Sequence, residues 1–84
     1  MQLLVLGPGC GKCVMLHEMT AQAARELGLE HELTKITDLK QIMALGVTRT
    51  PALVVDGTVK LSGKLPGLEE LKGILRQAAE NPHH

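Results

Sequence analysis

No phenylalanine, tyrosine or tryptophan occurs anywhere in the 84 residues. A core must therefore be assembled from Leu, Val, Ile, Met and Ala, and there is no ring to stack on a nucleic-acid base. Excess charge is missing as well. Nine basic residues balance nine acidic ones, and no basic block or stripe argues for nucleic acid. No segment approaches the ~20 apolar residues of a membrane-spanning helix, which speaks against a membrane partner. The apolar run at the N-terminus, Leu3-Leu4-Val5-Leu6, is short, has no basic flank and leads straight into the cysteines, so it does not read as a secretory signal. A cytoplasmic location is the default expectation. Repeats, linkers and low-complexity tracts are also missing, and 44% hydrophobic with 21% charged residues is the balance of a folded chain. A chain this short should form one small domain.

Cysteine is scarce too, but the only two stand together in Gly7-Pro8-Gly9-Cys10-Gly11-Lys12-Cys13. A bond between them would close too short a loop to constrain the unfolded chain much, so a structural staple is a poor reading. In a reducing compartment such a pair is catalytic or metal-binding. The context favours catalysis. A short apolar strand, ended by a glycine turn, feeds a helix through Cys-x-x-Cys. The first thiol then meets the unsatisfied N–H groups and the positive end of the helix dipole, which favour a thiolate. The second lies three residues on, on the same helical face. Lys12 adds a nearby cation that should lower the thiol pKa further.

The rest of the chain reads as a small α/β domain. Residues 2–6 form a buried strand. A helix runs from residue 10 or 11 to about 27, with Leu16, Met19, Ala23 and Leu27 as its core stripe and Gly28 as its left-handed stop. Met15, Met19 and Met43 are expected as gap-filling core. Residues 31–36 form a second strand. Asp38 caps a short helix whose apolar face is Leu39, Ile42, Met43 and Leu45, and Gly46 ends it. Pro51 forces Thr50 into an extended conformation. Strands at 52–55 and 58–61 flank Asp56-Gly57, a strong hairpin signal. A last helix at about 68–79 turns Leu68, Leu71, Ile74, Leu75 and Ala78 inward, with Gly73 expected to mark close packing against the sheet. Residues 80–84 are a tail, and His83-His84 is either a purification-tag stub or a native ending. The order β-α-β-α-β-β-α, with right-handed crossovers in its first half, gives a mixed four-stranded sheet with helices on both faces.

This order, with Cys-x-x-Cys opening the first helix and Thr50-Pro51 just before the hairpin, resembles the thioredoxin/glutaredoxin fold. The glutaredoxin-like size and the Gly-Pro-Gly-Cys-Gly-Lys-Cys spelling are closer still to the small thioredoxin-like redox-active disulfide proteins of archaea and bacteria. The resemblance covers residues 1–79. It implies that Cys10 is the exposed attacking cysteine and Cys13 the buried resolving one. It implies that Pro51 is the cis-proline opposite the disulfide, and that Thr50 offers its backbone to an extended substrate, with Gly9 and Gly11 beside it. It implies a thiol–disulfide oxidoreductase acting on disulfide-containing proteins and recycled by a thioredoxin reductase-like flavoprotein. No cofactor is expected, and a monomer is the default because nothing large and apolar is left over once the stripes are buried. Departures are plain. The larger thioredoxins carry Trp before the first cysteine and Gly-Pro between the two; here Gly9 and Gly11-Lys12 stand there. The first strand holds no Asp or Glu to serve as the buried proton relay. Ser62-Gly63-Lys64-Leu65 lacks the aspartate with which glutaredoxins hold glutathione.

Two other readings compete. Cys-x-x-Cys is half a zinc site or a whole soft-metal pair, and His17 lies four residues after Cys13. A fourth ligand is missing, and copper chaperones end in a strand where this chain ends in a helix. The bland reading of His17 and His31, as solvent-facing residues, is preferred. Alternatively the groove beside Pro51 could serve peptide recognition alone, although an idle exposed dithiol would be a liability. Arg49, Lys60, Lys64 and Lys72 read as solvated.

Overall fold

The computed structural model describes residues 1–9 and 11–80. Seven elements follow in order: β1 (Gln2–Leu6), α1 (Gly11–Glu26), β2 (Glu32–Ile36), α2 (Leu39–Ala44), β3 (Ala52–Val55), β4 (Thr58–Ser62) and α3 (Leu68–Glu80). They form a four-stranded sheet in the order β2-β1-β3-β4. β1 pairs parallel with β2, with Leu3 opposite Leu33, and antiparallel with β3, with Val5 opposite Leu53. The expected α/β architecture is present. His83 and His84 lie outside the described residues.

Alternation along the central strands divides the core in two. Leu3 and Val5 from β1 and Leu53 and Val55 from β3 join Leu16, Ala23 and Ala24 of α1 and Leu71 and Leu75 of α3. Leu6, Ala52 and Val54 point the other way and meet Ile42 of α2 and Val47. A period of two explains why these strands are apolar throughout: each buries both of its faces. Helices α1 and α3 therefore cover one face and α2 the other.

Chain reversals are fixed by local chemistry. Asp56 and Gly57 have φ of 48° and 85°, the double left-handed geometry of a two-residue hairpin. The Asp56 carboxylate accepts from Gln2 N–H at 2.7 Å and the Asp56 N–H donates to Gln2 O at 2.8 Å, so the hairpin is also tied to the start of β1. The Asp38 carboxylate caps α2 by accepting from Lys40 N–H at 2.9 Å. Helix α2 ends in a Schellman turn, with Gly46 N–H donating to Met43 O and Val47 N–H to Ile42 O.

Several side chains depart from the sequence expectation. Of the apolar residues of α2 only Ile42 is buried; Met43 is 70% exposed, and Leu39 and Leu45 are exposed too. After the Schellman turn it is Val47, not Leu45, that joins Ile42 in the second core. Met15 is 51% exposed, while Met19 packs against the main core as expected. Gly73 makes no close approach: a Cβ there would meet nothing within 4 Å. In β4 the register shifts between Leu53–Leu61 and Val54–Val59, so the bulge carries Leu61 inward and leaves Val59 exposed on the opposite face. His17 and His31 are half-buried rather than solvent-facing, and His31 Nδ1 lies 2.9 Å from Leu29 O. Lys72 is not simply solvated. It joins α3 to α1 through Glu26 at 3.1 Å, and Lys64 pairs with Glu70 at 2.8 Å.

Candidate functional site

The site lies where β1 ends, α1 begins and the loop before β3 passes. Gly7 follows the last residue of β1 and is buried, with its N–H donating to Ile36 O at 2.9 Å. Pro8 and Gly9 turn the chain outward. Gly9 has a φ of 97°, a left-handed conformation that disfavours any residue with a Cβ. Gly11 opens α1, and Gly9, Gly11 and Lys12 are all exposed. Cys10, the expected attacking cysteine, lies outside the described residues; in the chain it immediately precedes the first residue of α1.

Cys13, on the first turn of α1, is fully buried. It heads the buried face of the helix, which continues through Leu16, Thr20, Ala23 and Ala24. Its sulfur rests on Gly7. A Cβ built on Gly7 would overlap the Cys13 Sγ, stand 2.9 Å from Cys13 Cβ, and lie 3.9 Å from Thr50 Cβ. Strand end, helix start and loop therefore meet around one glycine.

The Thr50–Pro51 peptide bond is cis. Pro51 is buried and Thr50 half-buried. The end of β4 holds this loop. Gly63 N–H donates to Pro51 O at 2.9 Å, and the Ser62 hydroxyl donates to Arg49 O at 3.1 Å. Arg49 is exposed, but its stem lies over Gly63: a Cβ there would come within 2.9 Å of Arg49 Cβ.

The chemistry available is that of sulfur. Among the described residues the only buried polar side chain is Thr20, whose hydroxyl donates to Leu16 O at 2.7 Å, so no carboxylate lies buried beneath the helix. Among the described residues, too, no three His, Cys, Asp or Glu side chains gather as metal ligands. A shallow depression lined by Met1, Gln2, Glu30, His31 and Glu32 lies at the opposite end of β1.

Of the residues the sequence singles out, Cys13 and Thr50 both come close to Gly7, and Pro51 follows Thr50 through the cis bond. Gly7 was read only as part of a turn. A glycine at the end of a buried strand, just before a Cys-x-x-Cys helix, was the available signal that another group approaches closely.

Comparison with known proteins agrees with this picture. A family model described as a thioredoxin domain matches residues 1–76. A thioredoxin of Methanothermobacter thermautotrophicus is 40% identical over 75 residues, 89% of this chain and 97% of that protein. A thioredoxin of Methanocaldococcus jannaschii is 37% identical over 76 residues, 90% of this chain and 87% of that protein.

Proposed function

The chain belongs to the thioredoxin family, and we propose that within it the protein is a disulfide reductase working through Cys10 and Cys13. A thioredoxin-like redox role goes with that membership. The observation that carries the finer reading is the pairing of a fully buried Cys13 with a Cys10 placed just ahead of α1. One thiol of the pair is thus withheld from bulk disulfides, and the other has the position that favours a thiolate.

Cys10 thiolate attacks a substrate disulfide, and one substrate sulfur leaves as a thiol. The resulting mixed disulfide is attacked by Cys13. The second substrate thiol departs and the Cys10–Cys13 disulfide remains. Two electrons have passed to the substrate, and a reductase resets the dithiol; a flavoprotein of the thioredoxin reductase kind is the partner we assign. Thr50, which comes close to Gly7, and Pro51 after it serve as the backbone platform for an extended substrate, with the exposed Gly9 and Gly11 presenting no side chain to obstruct it. Lys12 favours the Cys10 thiolate. A reducing compartment, the cytoplasm, suits this chemistry.

Replacing Cys10 with Ser should abolish turnover of a model protein disulfide. Replacing Cys13 with Ser should leave the first attack intact and accumulate mixed disulfides, visible by mass. Wild-type turnover by Cys10→Ser would contradict the assignment.

A further inference from the structure

We infer that Gly7 is a positioning residue for the resolving step. Its missing side chain is the space in which the Cys13 sulfur sits, and that seat sets the line along which Cys13 attacks. The inference rests on the reading of Cys10 and Cys13 as an active dithiol and adds to it a residue with no reactive group.

The Gly7 N–H donates to Ile36 O at 2.9 Å, which ties the backbone at this position to the end of β2. A Cβ at this position would overlap the Cys13 Sγ and stand only 2.9 Å from Cys13 Cβ. From Thr50 Cβ it would stand 3.9 Å, an ordinary contact. The crowding is therefore one-sided: a methyl group at position 7 displaces Cys13 and spares Thr50. Backbone conformation does not ask for glycine here, because Gly7 is not among the glycines with positive φ, unlike Gly9, Gly28, Gly46, Gly57 and Gly63. The requirement comes from the neighbouring cysteine.

In the resolving step, Cys13 thiolate attacks the Cys10 sulfur of the mixed disulfide. The Cys10–Cys13 bond forms, the Cys10–substrate bond breaks, and the substrate sulfur leaves as a thiolate that takes up a proton. The dithiol loses two electrons and the substrate disulfide gains them. Attack at sulfur needs the incoming, central and departing atoms in line, so a misplaced Cys13 slows this step. The first attack, by Cys10 on the substrate, does not use the Cys13 sulfur.

The test is a single-turnover reaction of reduced protein with an aryl disulfide that releases one coloured thiolate at each step. In Gly7→Ala the first release should keep its wild-type rate, while the second slows by as much as about a hundredfold, the scale of a misplacement of about an ångström. The mixed disulfide should accumulate and be seen by mass. Wild-type rates for both releases, or equal slowing of both, would overturn the positioning role. A second release missing from the wild-type protein would instead overturn the dithiol reading, and this inference with it. Stability supplies an independent check that does not depend on activity. Gly7→Ala should lower Tm more in the wild-type background than in Cys13→Ala, where the overlapping sulfur is gone. An equal drop in both backgrounds would show that the sulfur is not what position 7 accommodates.

Discussion

Cys13 is fully buried, and in the chain Cys10 directly precedes α1; the division of labour we propose for the two follows from those places. The buried Cys13 sulfur lies against Gly7, with Thr50 close to the same glycine, and in the proposed mechanism it acts only on a partner brought to it. Cys10 directly precedes α1, where unsatisfied backbone N–H groups stabilise an anion. In a Cys13→Ser variant, a pH series of alkylation rates should therefore show Cys10 titrating below the ~8.5 of an ordinary thiol. A midpoint at or above that value would contradict the role given to the helix start and Lys12. At this scale the sequence was partly legible. Cys-x-x-Cys and Thr-Pro are local spellings and could be read directly. Gly7 carries only a general signal of close approach, because the atom that needs it lies six positions away and reaches it only once α1 has folded back over β1. Met15 and Met43 turn out exposed for a related reason: neither the way Met packs nor, for Met43, its place on the α2 stripe says whether anything covers that face.

Helix α2 spans six residues, and the sheet face beneath it is filled by Ile42 and Val47 with Leu6, Ala52 and Val54. A periodic apolar pattern in so short a helix overstates what it can bury. The longer helices behaved as their stripes implied, and the Asp-Gly hairpin formed as spelled, because those signals are local and strong. Its bulge was not legible, since register depends on what the partner strand must bury. Between α1 and α3 an ion pair adds a pH-dependent contact. The Glu26 carboxylate accepts from Gln22 at 2.8 Å and from Lys72 at 3.1 Å, and these bonds, Gln22 first, hold it below the ordinary carboxylate range. The bond to Glu26 in turn raises Lys72 above the usual lysine value. Glu26 therefore adds stability above the ordinary carboxylate range that is lost as pH falls through its lowered pKa. Lys72 adds stability below the ordinary lysine value that is lost as pH rises through its raised one. The pair contributes across the neutral window and fades at both ends. Side-chain exposures of 18% for Lys72 and 40% for Glu26 keep the contribution small through solvent screening. Denaturation midpoints measured across pH should show a shallower acid-side decline in Lys72→Met than in wild type. Identical declines would mean that the bridge adds nothing.

Taken whole, the molecule is a sheet buried on both faces and built without a single aromatic residue. Leucine carries most of the volume, so each leucine matters. Leu71, fully buried between α3 and the sheet, should cost about 2–5 kcal/mol on replacement by alanine. Against a total stability of about 5–15 kcal/mol that is a large fraction, and chemical denaturation would read it. A loss below about 1 kcal/mol would mean that the main core repacks far more freely than a close-packed interior does. The same two-faced packing brings the end of β1, the start of α1 and the loop before β3 together around Gly7, and we propose that the working dithiol acts there. The most direct test of that claim is a redox titration of metal-free protein against a graded glutathione buffer, with Cys10 and Cys13 read by alkylation and mass and a parallel sample given zinc. The account predicts a single two-electron transition, little changed by zinc, at a potential within the span of about −180 to −270 mV of comparable dithiols. No disulfide at any poise, together with zinc retained tightly enough to protect both thiols, would contradict it.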